Sequence, residues 1–184
     1  MLERGTAAAT AGERTAISVM RMERRSVMRL KTWDARDPPG LRLADAPAPL
    51  PVGVGMVAAG DPRVLCIGPG EWLLIGTPSG RPAPAGLLRL DGAKTEDWSL
   101  VDLSSGACTF AIDGSASRDL LSKGSGLDFH PAQLGTRRCA RTRFAQIEAL
   151  IECLDDERRF ELSVARSYAA YLESWLANAT EEWR

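Results

Sequence analysis

The side chains best suited to chemistry lie late in the chain. Arg137, Arg138, Arg141 and Arg143 form its densest basic cluster, and Glu148 follows within a few residues. Strand alternation would put Arg141 and Arg143 on one face with Cys139. Guanidinium forks on such a face suit a phosphate, a polyglutamate tail or an acidic partner surface. The plainer alternative is a solvated strand face balanced by nearby acids. His130 is the sole histidine, and therefore the sole imidazole base or partner for a cysteine nucleophile. It precedes Pro131, and a residue before proline more often sets a turn.

Other chemistries find little support. Cys66, Cys108, Cys139 and Cys153 are scattered without a Cys-x-x-Cys pair, so a standard zinc site is hard to assemble. They read as reduced, mostly buried thiols of an intracellular protein. Residues 112–121 suggest a strand, a glycine turn and a helix, superficially a phosphate cradle. Only Gly114 stands where a dinucleotide fingerprint needs three glycines, and the run characteristic of nucleotide hydrolysis is missing too. Nor is there a Gly-x-Ser-x-Gly nucleophile elbow. The expectation is a chain with no catalytic residue and no metal ligand of its own.

The elements that must position these groups are organised around residues 160–175. Phe160, Leu162 and Val164 alternate with Glu161 and Ser163, the period of a half-buried strand. The period then changes: Tyr168, Leu172, Trp175, Leu176 and Ala179 recur at helical spacing, with Glu173, Ser174 and Asn178 outward. Trp72, Phe160, Tyr168, Leu172 and Trp175 are the expected core or interface anchors. Upstream, residues 27–33 suit an edge or outer strand. Residues 64–67 and 72–75 read as strands joined at Gly68-Pro69-Gly70, and residues 99–103 and 107–112 as another pair across Ser104-Ser105-Gly106. A helix over 118–123 follows, capped by Ser115 or Ser117 and stopped by Gly124. Residues 139–154 are strand-like, but no turn signal sets their hairpin register. Asp155-Asp156-Glu157 turn the chain into the strand at 160. The fold class expected is α+β, a mixed, mostly antiparallel sheet with helices packed on one side.

At 184 residues the chain suffices for one sizeable domain. Residues 1–25 are expected to be a disordered N-terminal tail, with Met20, Met22 and Met28 leaving a downstream start open. Residues 26–180 form the single domain, with Pro/Gly-rich arms at 38–60 and 77–86. The net charge is −1, from 23 basic and 24 acidic residues, so no overall field recruits nucleic acid or an anionic membrane. Aromatics do not alternate with the arginines as single-strand binding demands. No stretch reaches the ~20 apolar residues of a membrane span, and no signal-peptide segment opens the chain. A soluble, cytoplasmic protein is expected. Five tryptophans against two tyrosines fit core and partner surface equally well.

Four blocks carry a resemblance. Ile67-Gly68-Pro69-Gly70-Glu71-Trp72-Leu73-Leu74-Ile75-Gly76, Leu127-Asp128-Phe129-His130-Pro131, Cys139-Ala140-Arg141-Thr142-Arg143-Phe144-Ala145-Gln146, and Phe160-Glu161-Leu162 through Arg166-Ser167-Tyr168-Ala169-Ala170-Tyr171-Leu172 resemble, in order and spacing, the gamma subunit of heterotetrameric sarcosine oxidase. A wider likeness, in Val101-Asp102-Leu103-Ser104, Ile112-Asp113-Gly114 and Asp119-Leu120-Leu121, is to the folate-binding first domain of glycine-cleavage aminomethyltransferases.

The resemblance implies an aminomethyltransferase-like α+β fold and a subunit without a cofactor of its own, packed on a large alpha subunit beside beta and delta subunits. FAD, FMN, NAD, tetrahydrofolate and zinc would then belong to those partners. The complex would demethylate sarcosine or a related N-methyl amine oxidatively and pass the one-carbon unit to tetrahydrofolate. The alternative is a free-standing folate-binding or aminomethyltransferase-like protein using Arg141, Arg143 and Glu148. Against that alternative, folate aminomethyltransferases carry a Gly-Gly turn and paired acids where this chain has Phe144-Ala145-Gln146-Ile147-Glu148-Ala149.

Overall fold

The computed structural model describes residues 16–33, 41–43, 50–76, 88–90, 98–154 and 158–183. Twelve strands and two α-helices form among them: β1 (Ser18–Arg21), β2 (Val27–Thr32), β3 (Leu41–Leu43), β4 (Val57–Ala58), β5 (Arg63–Gly68), β6 (Glu71–Ile75), β7 (Leu88–Leu90), β8 (Trp98–Asp102), β9 (Ala107–Asp113), α1 (Ser117–Gly124), β10 (Arg138–Phe144), β11 (Ile147–Cys153), β12 (Arg159–Ala165) and α2 (Ala169–Ala179). The α+β, antiparallel class holds, but the strands divide between two five-stranded sheets and a two-stranded ribbon. The first sheet has the order β1-β9-β12-β11-β10, the second β4-β5-β6-β2-β8, and β3 pairs with β7.

The first sheet buries both faces. On one, Phe110, Ile112, Phe160, Leu162 and Ile151 meet Leu120 and Leu121 of α1 and Leu172 and Leu176 of α2. Phe144 and Trp175 add an edge-to-face ring pair, with centroids 5.0 Å apart. On the other face, Leu150 and Cys139 pack with Leu65 and Ile75 of the second sheet. The strand at Phe160 is therefore not half-buried: Glu161, on the face that alternation assigns to solvent, is 5% exposed. The outer face of the second sheet gathers Met28, Leu30, Val64, Cys66, Trp72 and Leu74. Trp72 donates its indole N–H to the Pro51 carbonyl at 2.7 Å.

Four expectations change. Residues 16–25 are not tail, because β1 pairs with β9 from Ser18↔Asp113 to Arg21↔Phe110; residues 1–15 lie outside the described residues. Strand β2 is interior rather than edge, paired with β6 and β8. The runs on either side of Ser104-Ser105-Gly106 are not a hairpin: β8 joins the second sheet and β9 the first. The chain crosses there with Leu103 N–H donating to the Val27 carbonyl, and Val27 N–H to Ser104 Oγ. The α1 N-cap is Ala116, with no side-chain cap. Gly114 is needed for another reason. Its φ is +134°, and a Cβ there would lie 2.5 Å from the Ala16 carbonyl oxygen, where β1 approaches. Of the two proline-rich arms, residues 38–40, 44–49 and 77–86 lie outside the described residues.

Candidate functional site between the sheets

Where the two sheets diverge from their shared apolar contact, a cleft of about 350 Å³ opens between them. Val27, Leu73 and Ile75 line it from the second sheet, and Ala149, Leu150 and Val164 from the first. The two-residue period turns Val27, Leu73, Ile75 and Leu150 toward it, whereas Ala149 and Val164 pack in the helix-side core and only border it. The walls are mostly apolar, as in small-molecule pockets.

Its polar groups form a chain from sheet to sheet. Arg29 Nε lies 2.7 Å from Glu71 Oε1, Arg141 Nη1 lies 3.8 Å from the same oxygen, and Arg141 also binds Glu148. Thr109 and Ser163 share a hydroxyl hydrogen bond of 2.8 Å on the first-sheet wall. Arg143, by contrast, donates to the Gln146 side-chain oxygen at 3.0 Å and does not line the cleft. Of the three candidates for an anion surface, the structure thus brings Arg141 and Glu148 together, as each other's partners.

A second ionic group lies deeper in the layer between the sheets. Glu152 and Glu161 stand opposite each other on β11 and β12. Arg25 gives Nη1 to both oxygens of Glu161, at 2.8 and 2.7 Å. Arg63 Nη2 reaches Glu161 at 2.7 Å and Glu152 at 3.2 Å. Burial, opposed by Arg63 and reinforced by Glu161, pushes the Glu152 carboxyl up to about 7. Of the two acids it is the one with the longer contact to Arg63. Sequence reasoning missed this group. The available signal was an acid set among apolar neighbours in each strand, Glu152 between Ile151 and Cys153 and Glu161 between Phe160 and Leu162.

His130 is exposed, and its local bonds are those of a turn. Its backbone N–H donates to Asp128 Oδ1 at 2.8 Å, and its Nδ1 accepts from Ala132 N–H at 3.2 Å. All four cysteines are free and buried. Burial first, then Glu152 and Cys66, pushes the Cys139 thiol up to about 12, which leaves it protonated and inert. No group of three or more potential ligands fit to hold a metal occurs among the described residues. Of the expected anchors, Trp72, Phe160 and Leu172 are at most 1% exposed, and Trp175 is half-buried against the helix-bearing core. Tyr168 differs. It sits in the 3-10 turn before α2, is 47% exposed and lines the cleft, because the helical stripe starts only at Ala169.

Comparison with known proteins decides the family. A model of the sarcosine oxidase, gamma subunit family matches residues 41–182. The chain belongs to that family. Among solved structures, a chain of the heterotetrameric sarcosine oxidase from Corynebacterium sp. U-96, in complex with pyrrole 2-carboxylate, matches this gamma-family chain with a TM-score of 0.76 and 24% identity. The match covers 94% of this chain and 87% of that one. The glycine cleavage system aminomethyltransferase T from Bartonella henselae matches with a TM-score of 0.62 and 14% identity, over 89% of this chain and 46% of that one. These identities speak for the fold, which the gamma-family chain therefore shares with an aminomethyltransferase. No curated protein sequence matches it. No helix among its described residues is long and apolar enough to cross a membrane.

Proposed function

We propose that this chain is a non-catalytic gamma subunit of a heterotetrameric sarcosine oxidase and serves assembly by packing on the large alpha subunit. The family match across residues 41–182 carries the reading. The fold likeness to a chain of a heterotetrameric sarcosine oxidase supports it. The assembly demethylates sarcosine or a related N-methyl amine oxidatively, in the cytoplasm, and passes the one-carbon unit to tetrahydrofolate. FAD, FMN, NAD, tetrahydrofolate and zinc belong, on this reading, to the alpha, beta and delta partners, which supply the redox and transfer chemistry. The geometry of the cleft agrees with a supporting role, since Arg29, Glu71, Arg141 and Glu148 are committed to one another. A tagged copy recovered from the native cell is expected to bring down larger subunits and flavin absorbance. Recovery of the chain alone and colourless overturns the proposal.

One observation favours a second reading, a free-standing folate-binding protein: Arg141 and Glu148 do line an apolar cleft of about 350 Å³. Titration of the isolated chain with tetrahydrofolate separates the two. The subunit reading expects no binding, and so no change on Arg141→Ala with Arg143→Ala. Saturable affinity that this double substitution abolishes would establish the second reading.

A further inference from the structure

We infer that a hollow beside β1 is an oxyanion site that takes a phosphate group. Arg21 at the end of β1, Arg24 and Arg25 in the segment leading to β2, and Arg166 in the turn before α2 line a hollow of about 120 Å³, which Ser104 and Thr109 also border. Four arginines face a single lining acid, Glu23. They come from sequence positions more than a hundred residues apart and converge only because β1 docks on β9, next to β12.

The surrounding acids leave this charge incompletely answered. Arg21 reaches Glu173 at 3.5 Å, and both partners are substantially solvated. Arg25 binds Glu161, which Arg63 shares. Arg24 acts weakly on Asp102, a carboxyl lowered chiefly by the Ser104 hydroxyl and backbone N–H. Arg166 has no ion-pair partner among the described residues. Arg25, whose side chain is 11% exposed, has its Nε buried without an acceptor, as has Arg63 outside the hollow. A guanidinium N–H left so is costly.

The excess of guanidinium groups selects a dianion with several oxygens over a carboxylate with two, since each fork engages a pair of oxygens. At about 120 Å³ the hollow has room for a tetrahedral ion. The phosphate comes either as the free ion or as the head of a small monoester.

Calorimetric titration of the full chain with inorganic phosphate and with methyl phosphate, at constant ionic strength in chloride, tests the site. Binding is read on this chain alone, so the outcome does not depend on assembly. Saturable binding is expected, weakened about tenfold or more by Arg166→Gln and by Arg24→Gln and unchanged by the distant Lys123→Gln. Tighter binding of the monoester assigns the tethered group, and tighter binding of the free ion assigns inorganic phosphate. Both outcomes uphold the site. Two results overturn it: no saturable heat with either probe, or Arg166→Gln and Arg24→Gln variants, folded by circular dichroism, that bind as tightly as the parent.

Discussion

Glu152 and Glu161 show how a residue can defeat a pattern. Alternation along 160–164 assigns Glu161 to water, and the inference fails because a second sheet covers that face. Two carboxylates directly opposite each other in such a layer cannot both ionise cheaply, even with Arg25 and Arg63 beside them. Arg25 and the shorter Arg63 contact go to Glu161, so Glu152 carries the proton. Its folded value, raised from 4.5 to about 7, fixes the sign of a pH effect. Between those values the folded chain holds a proton that the unfolded chain has released. The stability this group contributes is therefore complete below about 4.5 and is lost as pH rises through about 7. Denaturant midpoints of the parent are expected to fall between about pH 5 and about pH 8, and Glu152→Gln is expected to flatten that fall. Parallel profiles for parent and variant would refute the assignment. Tyr168 misleads for a related reason: its spacing belongs to the stripe, but its backbone belongs to the turn before it.

At the scale of elements, strands were more legible than their partners. The runs at 64–67 and 72–75 and the helix at 118–123 lie within a residue or two of β5, β6 and α1. Alternation says which side chains share a face but not which strand lies alongside, so the turn at Ser104 passes for a hairpin when it is a crossing. The β10–β11 hairpin stayed without a register because its turn residues are Ala145 and Gln146, not the Asn-Gly that announces a two-residue loop. Both have positive φ, 45° and 73°, as the mirror-image type I′ turn demands. The turn is held from outside: Tyr171 donates its hydroxyl to the Ala145 carbonyl at 2.7 Å, and Ala145 N–H donates to the Gly124 carbonyl at 2.8 Å. A left-handed conformation costs a side-chain-bearing residue about 1–2 kcal/mol. Gln146→Gly at this exposed position is therefore expected to stabilise the chain by about 0.5–1 kcal/mol, after the added flexibility of the unfolded state is subtracted. Urea unfolding checks this, and a loss of stability of similar size would show that the Arg143 bond to Gln146 matters more than the strain.

For the whole molecule, the layer between the sheets decides whether there are one or two cooperative units. Leu65, Ile75, Cys139 and Leu150 join the sheets, and both ionic groups span the same layer. Leu65→Ala, at a fully buried position, is expected to cost about 2–5 kcal/mol. Trp72 reports on the second sheet and Trp175 on the helix side of the first. In variants keeping only one of these tryptophans, the two probes are expected to give the same midpoint as each other, in the parent and, at a lower denaturant concentration, after Leu65→Ala; separated transitions would show that the sheets melt independently. The strand order carries a last consequence, for a chain that leaves the ribosome in one direction. Strand β1 emerges early, but its one neighbour in the sheet is β9, and β9's other neighbour is β12. The first of the described strands to be made thus waits for β9, and β9's other side waits for β12. During synthesis its edge and the apolar face of β9 stay open to other chains, the interval in which a chaperone or a nascent partner has most to cover.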